Sequence, residues 1–201
     1  MVYPNQLTVL RIILTPVFLF LFLADDPLLK QISLIVFLLA AITDWYDGWL
    51  ARKFNYITNW GKFLDPLADK ILTSTAFYAL VAIGMLDLWM VNVIVIRDFL
   101  ITGLRSFSEY KKMSFTTSKT AQWKTFVQMI FLYYLLMLYI FKTVEFIYSG
   151  HEQIFDFLLN PKFIYYTMLA ITLFTLYTGI SYLFKNRWLI KRLFTSETKS
   201  N

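Results

Sequence analysis

The sequence lacks cysteine altogether and has few glycines, prolines and charged residues for its 201 positions. Without cysteine there are no disulfide bonds and no thiolate metal sites, and the redox compartment stays open. Charged residues make up 16% of the chain, whereas a soluble domain usually has about a quarter. The composition therefore argues against a soluble globular fold.

Apolar residues make up 58% of the chain and arrive in long blocks. Each block is close to the roughly 20 residues that a helix needs to cross a bilayer. Helices are favoured over a barrel because the blocks show no alternation of polar and apolar residues. We predict an all-α, polytopic membrane protein, a single domain over residues 1–201, with six spans at about 7–24, 30–51, 67–86, 88–108, 121–147 and 162–184.

The net charge of +6 raises the question of a nucleic-acid partner, which the placement of the cations argues against. They gather in the loops after spans two and four and in the tail at 185–201, whereas the opposite loops hold few. The positive-inside rule explains this pattern and predicts that both termini are cytoplasmic. The tail mixes aromatic residues with cations, so we expect it to lie at the membrane interface.

Four aspartates interrupt the apolar pattern in the segment DWYDGWLARKFNYITNWGKFLDPLAD, residues 44–69. Asp44 and Asp47 are spaced i,i+3 at the end of span two, and Asp65 and Asp69 are spaced i,i+4 at the start of span three, so each pair shares a helix face. Pro66 suits a first helical turn, which predicts Asp65 as the N-cap. All four carboxylates should approach the same membrane surface.

Four crowded carboxylates near a membrane need compensation. Each costs about 2.5–3.5 kcal/mol near the bilayer centre and less at the interface, and mutual repulsion adds to that cost. A divalent cation removes both problems, and carboxylate oxygens suit Mg²⁺ or Mn²⁺. Four acids suffice for two ions, which is typical of phosphate chemistry. Helix caps or solvated interfacial charges are the simpler alternative, and a divalent-cation transporter is the alternative from another functional class.

The same segment resembles a known family. Eight positions match the signature D-x2-D-G-x2-A-R-x8-G-x3-D-x3-D of the CDP-alcohol phosphatidyltransferases, namely Asp44, Asp47, Gly48, Ala51, Arg52, Gly61, Asp65 and Asp69. The segments PNQLTVLRI, RDFLITGLR and SKTAQWKTFVQM are similar to the bacterial phosphatidylglycerophosphate synthase branch. Ala51 and Gly61 are structural positions of the motif.

The resemblance implies transfer of the phosphatidyl group from CDP-diacylglycerol to glycerol 3-phosphate, with release of CMP. It implies that Asp44 and Asp65 bridge two metal ions, that Asp47 and Asp69 each complete one site, and that Asp69 is also the base. It further implies a homodimer in the cytoplasmic membrane of a bacterium, with the active site facing the cytoplasm. The residues that it assigns to the donor are Gly48, Arg52, Thr58, Pro4, Asn5 and Gln6.

The acceptor site is expected in region 97–128, where Arg105, Lys119 and Lys124 supply cations for a phosphate. Two positions depart from the branch pattern, because Ala121 and Gln122 stand where it has glycine and lysine. Inositol phosphate or serine therefore stays open as the acceptor.

Arg97 and Asp98 lie deep in span four, where charged residues indicate function or internal pairing. An ion pair with another helix and a role in substrate binding are both open for these two residues.

Overall fold

The computed structural model describes the backbone of residues 4–54, 59–111 and 119–195, and the side chains of residues 8–43, 65–108, 111 and 120–191. Within those ranges the regular structure is entirely α-helical, as the apolar pattern predicts. The helices are α1 (Pro4–Leu23), α2 (Pro27–Phe54), α3 (Asn59–Ala82), α4 (Leu88–Tyr110), α5 (Lys119–Phe141), α6 (Glu145–Tyr148), α7 (Glu152–Leu158), α8 (Pro161–Lys185) and α9 (Arg187–Thr195).

Six long helices, α1 to α5 and α8, form the body of the fold. Helix α1 packs against α2 and α3, α3 against α4, and α8 against α4 and α5. The core between them is apolar and rich in aromatic rings. Phe18 contacts Phe22 and Phe37, and Tyr133 and Tyr139 of α5 pack on the same cluster. This aromatic core fixes α5 against the α1–α2 pair.

The outer surface is typical of a membrane protein. In the part of the chain that the structure describes, residues Thr120–Phe141 and Glu152–Lys185 are long and apolar enough to cross a membrane, and Thr8–Leu23 and Pro27–Thr43 are shorter apolar stretches. Large apolar side chains such as Phe20 and Phe184 are exposed. Removing these side chains from water is favourable, so a lipid environment suits this surface. The number of spans and the side on which the termini lie stay predictions.

Two expected helix boundaries are wrong. Helix α3 begins at Asn59 rather than near 67, so Pro66 lies inside the helix and Asp65 is not its N-cap. An interior proline removes one backbone hydrogen bond, which neighbouring groups can compensate in membrane helices. Helix α5 ends at Phe141, where Thr143 and Val144 form turns onto the last carbonyls, and the separate short helix α6 follows.

Candidate active site

Two of the four signature aspartates have described side chains, and both lie on α3. Asp65 is partly buried, and its Oδ1 accepts a hydrogen bond of 2.5 Å from the hydroxyl of Thr8 on α1. Thr8 itself is buried. Asp65 is therefore oriented by the neighbouring helix, which leaves its Oδ2 for another partner.

Asp69 lies one helical turn beyond Asp65, and 38% of its side chain is exposed. It lines a small cavity of about 90 Å³ between α2, α3 and α5, together with Ala41, Met129 and Tyr133 among others. The Nζ of Lys70 lies 3.7 Å from Asp69 Oδ2. Asp69 is thus an accessible carboxylate next to a space that a small group can enter.

The buried face of α1 is polar where it approaches this site. Thr8, Arg11 and Thr15 are all buried in a helix that is mostly apolar. Sequence analysis did not assign a role to Thr8 or Arg11. Their spacing of three and four residues was the available signal, because it places all three on one face of a helix.

A second charged cluster centres on Asp98 of α4. Its Oδ1 accepts from Lys124 Nζ at 2.6 Å and from Arg97 Nη1 at 3.0 Å, and its Oδ2 accepts from Gln128 Nε2 at 3.3 Å. Asp98 and Lys124 are both buried. Arg97 also donates to Thr178 Oγ1 of α8 at 3.1 Å. The ion pair between helices that sequence analysis left open is therefore present.

This cluster joins three helices by charged groups that are out of water. A buried ion pair is not in itself strongly stabilising, but removal of one partner leaves a buried charge and costs about 3–5 kcal/mol. The Asp98 carboxylate therefore fixes Lys124 and Arg97 in place.

The three residues predicted to bind the acceptor differ in their surroundings. Lys124 is fully buried at Asp98, whereas Arg105 is exposed seven residues further along α4. The side chain of Lys119 lies outside the described residues. The assignment of these three cations to the acceptor stays a prediction.

The remaining predicted site residues have side chains outside the described ranges, and their roles also stay predictions. They are Pro4, Asn5, Gln6, Asp44, Asp47, Gly48, Ala51, Arg52, Thr58 and Gly61. Among the side chains that are described, no three His, Cys, Asp or Glu residues are grouped to hold a metal. Asp65 and Asp69 supply only carboxylate oxygens, which is the donor type that hard divalent cations prefer. The described half of the site thus fits the expected metal.

Two cavities of the described region lie in different parts of the fold. The larger one, of about 500 Å³, is lined by residues at the α3–α4 turn and the start of α8, including Asp87, Lys142 and Tyr165. It contains none of the predicted site residues. The smaller cavity is the one that contacts Asp69. The volume of a cavity therefore does not identify the site here. The placement of the charged groups identifies it.

Charged groups buried among apolar helices fit a membrane protein with a polar site inside the helical bundle. The family model of the CDP-alcohol phosphatidyltransferases matches residues 1–175, and the chain belongs to this family. It is therefore an enzyme of phospholipid synthesis, which sets aside the cation-transporter alternative. The family is generally dependent on divalent metal ions.

Curated relatives agree with this family. A protein of Rickettsia typhi is 40% identical over 134 residues, which cover 67% of this chain and 75% of the relative. A protein of Bacillus subtilis is 46% identical over 114 residues, covering 51% and 59%. One of Salmonella paratyphi A is 37% identical over 138 residues, covering 66% and 75%. All three are named CDP-diacylglycerol–glycerol-3-phosphate 3-phosphatidyltransferase.

Proposed function

We propose that this enzyme transfers the phosphatidyl group of CDP-diacylglycerol to glycerol 3-phosphate, giving phosphatidylglycerophosphate and CMP. The observation that carries the proposal is the eight-position signature at 44–69, which places an oriented Asp65 and an accessible Asp69 one turn apart on α3. The shared name of the curated relatives supports the same acceptor.

Asp69 is the proposed base. Its exposed carboxylate takes the proton of the acceptor hydroxyl while that oxygen attacks the lipid-bearing phosphorus, and the bond from this phosphorus to the CMP oxygen breaks. Thr8 keeps the neighbouring Asp65 in one orientation through its hydrogen bond. The cavity beside Asp69 is small, of about 90 Å³, which restricts how many water molecules can compete with the acceptor.

The four signature aspartates would hold the metal, which we propose to be two Mg²⁺ or Mn²⁺ ions. Bound divalent cations would neutralise the charge on the pyrophosphate and on the departing CMP. We assign the donor to Gly48, Arg52, Thr58 and the segment 4–6, and the acceptor phosphate to Arg105, Lys119 and Lys124. The proposed setting is a homodimer in the cytoplasmic membrane of a bacterium, with the site facing the cytoplasm.

A panel of acceptors tests this function. Purified enzyme in detergent receives labelled CDP-diacylglycerol, a divalent metal and one acceptor at a time, and CMP release is measured. We expect rapid release with glycerol 3-phosphate and little with inositol phosphate or serine. Turnover with inositol phosphate or serine alone would reject glycerol 3-phosphate as the acceptor and would retain the family chemistry. The alternative acceptors are tested because Gln122 departs from the branch pattern.

Asp69→Asn tests the base in the same assay. Loss of the carboxylate should lower kcat by about 10²-fold or more, because general-base catalysis contributes that much. Asp87→Asn is the matched control, since Asp87 is exposed at the opposite end of α3 and α4 and should leave turnover unchanged. Wild-type turnover by Asp69→Asn would refute the assignment of the base.

A further inference from the structure

Lys70 is a charged residue that lies just outside the signature segment 44–69. It follows Asp69 on α3, and only 16% of its side chain is exposed. Its Nζ lies 3.7 Å from Asp69 Oδ2, a distance beyond that of a hydrogen bond. Within the described part of the chain, no hydrogen bond engages this ammonium group. Most of the Lys70 side chain is covered while its ammonium group keeps its hydrogen-bond donors, so the position suits an anionic ligand.

Two other cations near Lys70 are held in place by the Asp98 carboxylate. Lys124 and Arg97 both donate to Asp98, at 2.6 and 3.0 Å. The charge of Lys70 acts on both Asp98 and Lys124, so Lys70 lies near the Asp98 cluster as well as beside Asp69. The charged groups near Lys70 are therefore Asp69 and the Asp98 cluster. In that cluster, the Asp98 carboxylate partly neutralises Lys124 and Arg97. Lys70 differs from Lys124 and Arg97 in that no hydrogen bond to Asp98 holds it in place.

We propose that Lys70 binds the phosphate group of the acceptor alcohol beside Asp69. This inference rests on the proposed function, because it requires a phosphorylated acceptor. An acceptor whose phosphate lies at Lys70 has its free hydroxyl near the adjacent Asp69 carboxylate, since the two side chains leave consecutive residues and approach each other. The ammonium group thereby selects a phosphorylated alcohol, and the carboxylate takes the proton of the hydroxyl that attacks.

The test compares Lys70→Gln with Lys70→Arg. Glutamine removes the charge, so the KM for glycerol 3-phosphate should rise about 10- to 100-fold, the range expected when a charge-assisted hydrogen bond is lost. The KM for CDP-diacylglycerol should change by less than about twofold, because its proposed contacts are with Gly48, Arg52, Thr58 and the segment 4–6 rather than with Lys70. Arginine keeps the charge and should restore most of the affinity. Lys142→Gln, at the far end of the fold, is the control and should match wild type.

A measurement without turnover completes the test. Glycerol 3-phosphate should raise the thermal midpoint of the wild-type protein in detergent and should fail to raise that of Lys70→Gln, while both proteins have similar midpoints without ligand. An unchanged KM for glycerol 3-phosphate, or an equal rise in the KM of donor and acceptor, would overturn the role of Lys70.

The two proposals can fail separately. If the wild-type enzyme uses inositol phosphate instead of glycerol 3-phosphate, the proposed acceptor is wrong, and the KM for inositol phosphate in Lys70→Gln decides the role of Lys70. If the wild-type enzyme uses serine, which carries no phosphate, both proposals are rejected.

Discussion

Thr8 connects the buried face of α1 to the predicted metal ligand Asp65. Its hydroxyl donates to Asp65 Oδ1 at 2.5 Å from a buried position. A carboxylate that accepts a fixed hydrogen bond loses rotational freedom, and such supporting contacts commonly determine the strength of metal binding. The precision of the site therefore depends on a helix that carries none of the four aspartates.

Replacement of Thr8 by valine should weaken the site without enlarging a cavity, because valine has nearly the same shape. Loss of a hydrogen bond to a charged group costs about 1.5–3 kcal/mol, so we expect about 10- to 100-fold lower kcat/KM. The divalent-metal concentration for half-maximal activity should rise as well. Both are measured by metal titration of CMP release.

Thr15→Val is the matched control for this prediction. Thr15 is buried on the same face of α1, but its hydroxyl donates to the Arg11 carbonyl within the helix. Its replacement should leave the metal requirement unchanged. An equal effect of both substitutions would show that Thr8 acts through α1 stability rather than through Asp65.

At the scale of helices, Gly179 determines how closely α8 approaches α4. A Cβ atom built on Gly179 lies 3.0 Å from Cγ and 3.4 Å from Nε of Arg97. The neighbouring Thr178 accepts the hydrogen bond of Arg97 Nη2. Small residues permit such close contact between membrane helices, and here the contact also holds the arginine that bonds Asp98.

Gly179→Ala should therefore destabilise the α4–α8 contact even though alanine favours a helix. Overpacking costs about 1–3 kcal/mol, and we expect a lower thermal midpoint in detergent and lower activity. Gly103→Ala is the control, because no heavy atom lies within 4 Å of a Cβ at that position of α4. It should be neutral or stabilising, since glycine is about 0.8–1.0 kcal/mol less favourable than alanine in a helix. A neutral Gly179→Ala would show that Arg97 moves aside freely.

Much of this arrangement was predictable from local sequence, and some of it was not. The apolar blocks indicated the long helices, and the i,i+4 spacing placed Asp65 and Asp69 on one face of α3. The start of α3 was not predictable because Pro66 suited a first turn, yet the helix begins at Asn59. The partners of Asp98 come from α5 as well as from α4, and spacing along one helix carries no information about contacts between helices.

At the scale of the whole molecule, the charged site and the short helices lie toward different ends of the fold. Asp65, Asp69 and the Asp98 cluster lie toward one end, and the α3–α4 turn and the short helices α6 and α7 lie toward the other. His151 is exposed at the second end, where it precedes α7. If the enzyme takes CDP-diacylglycerol from the cytoplasmic leaflet and its acceptor from the cytoplasm, the first end must face the cytoplasm and His151 must face outward.

The absence of cysteine makes this orientation directly measurable, because any introduced thiol is the only one in the chain. His151→Cys and Arg187→Cys both replace exposed side chains, one before α7 and one at the start of α9. In intact bacterial cells stripped of any outer membrane, a membrane-impermeant maleimide should label His151→Cys at once. It should label Arg187→Cys only after the membrane is permeabilised, because the positive-inside rule places that basic segment in the cytoplasm. Retained CMP release in both variants shows that they are folded, and labelling of both from the same side would reject the proposed topology.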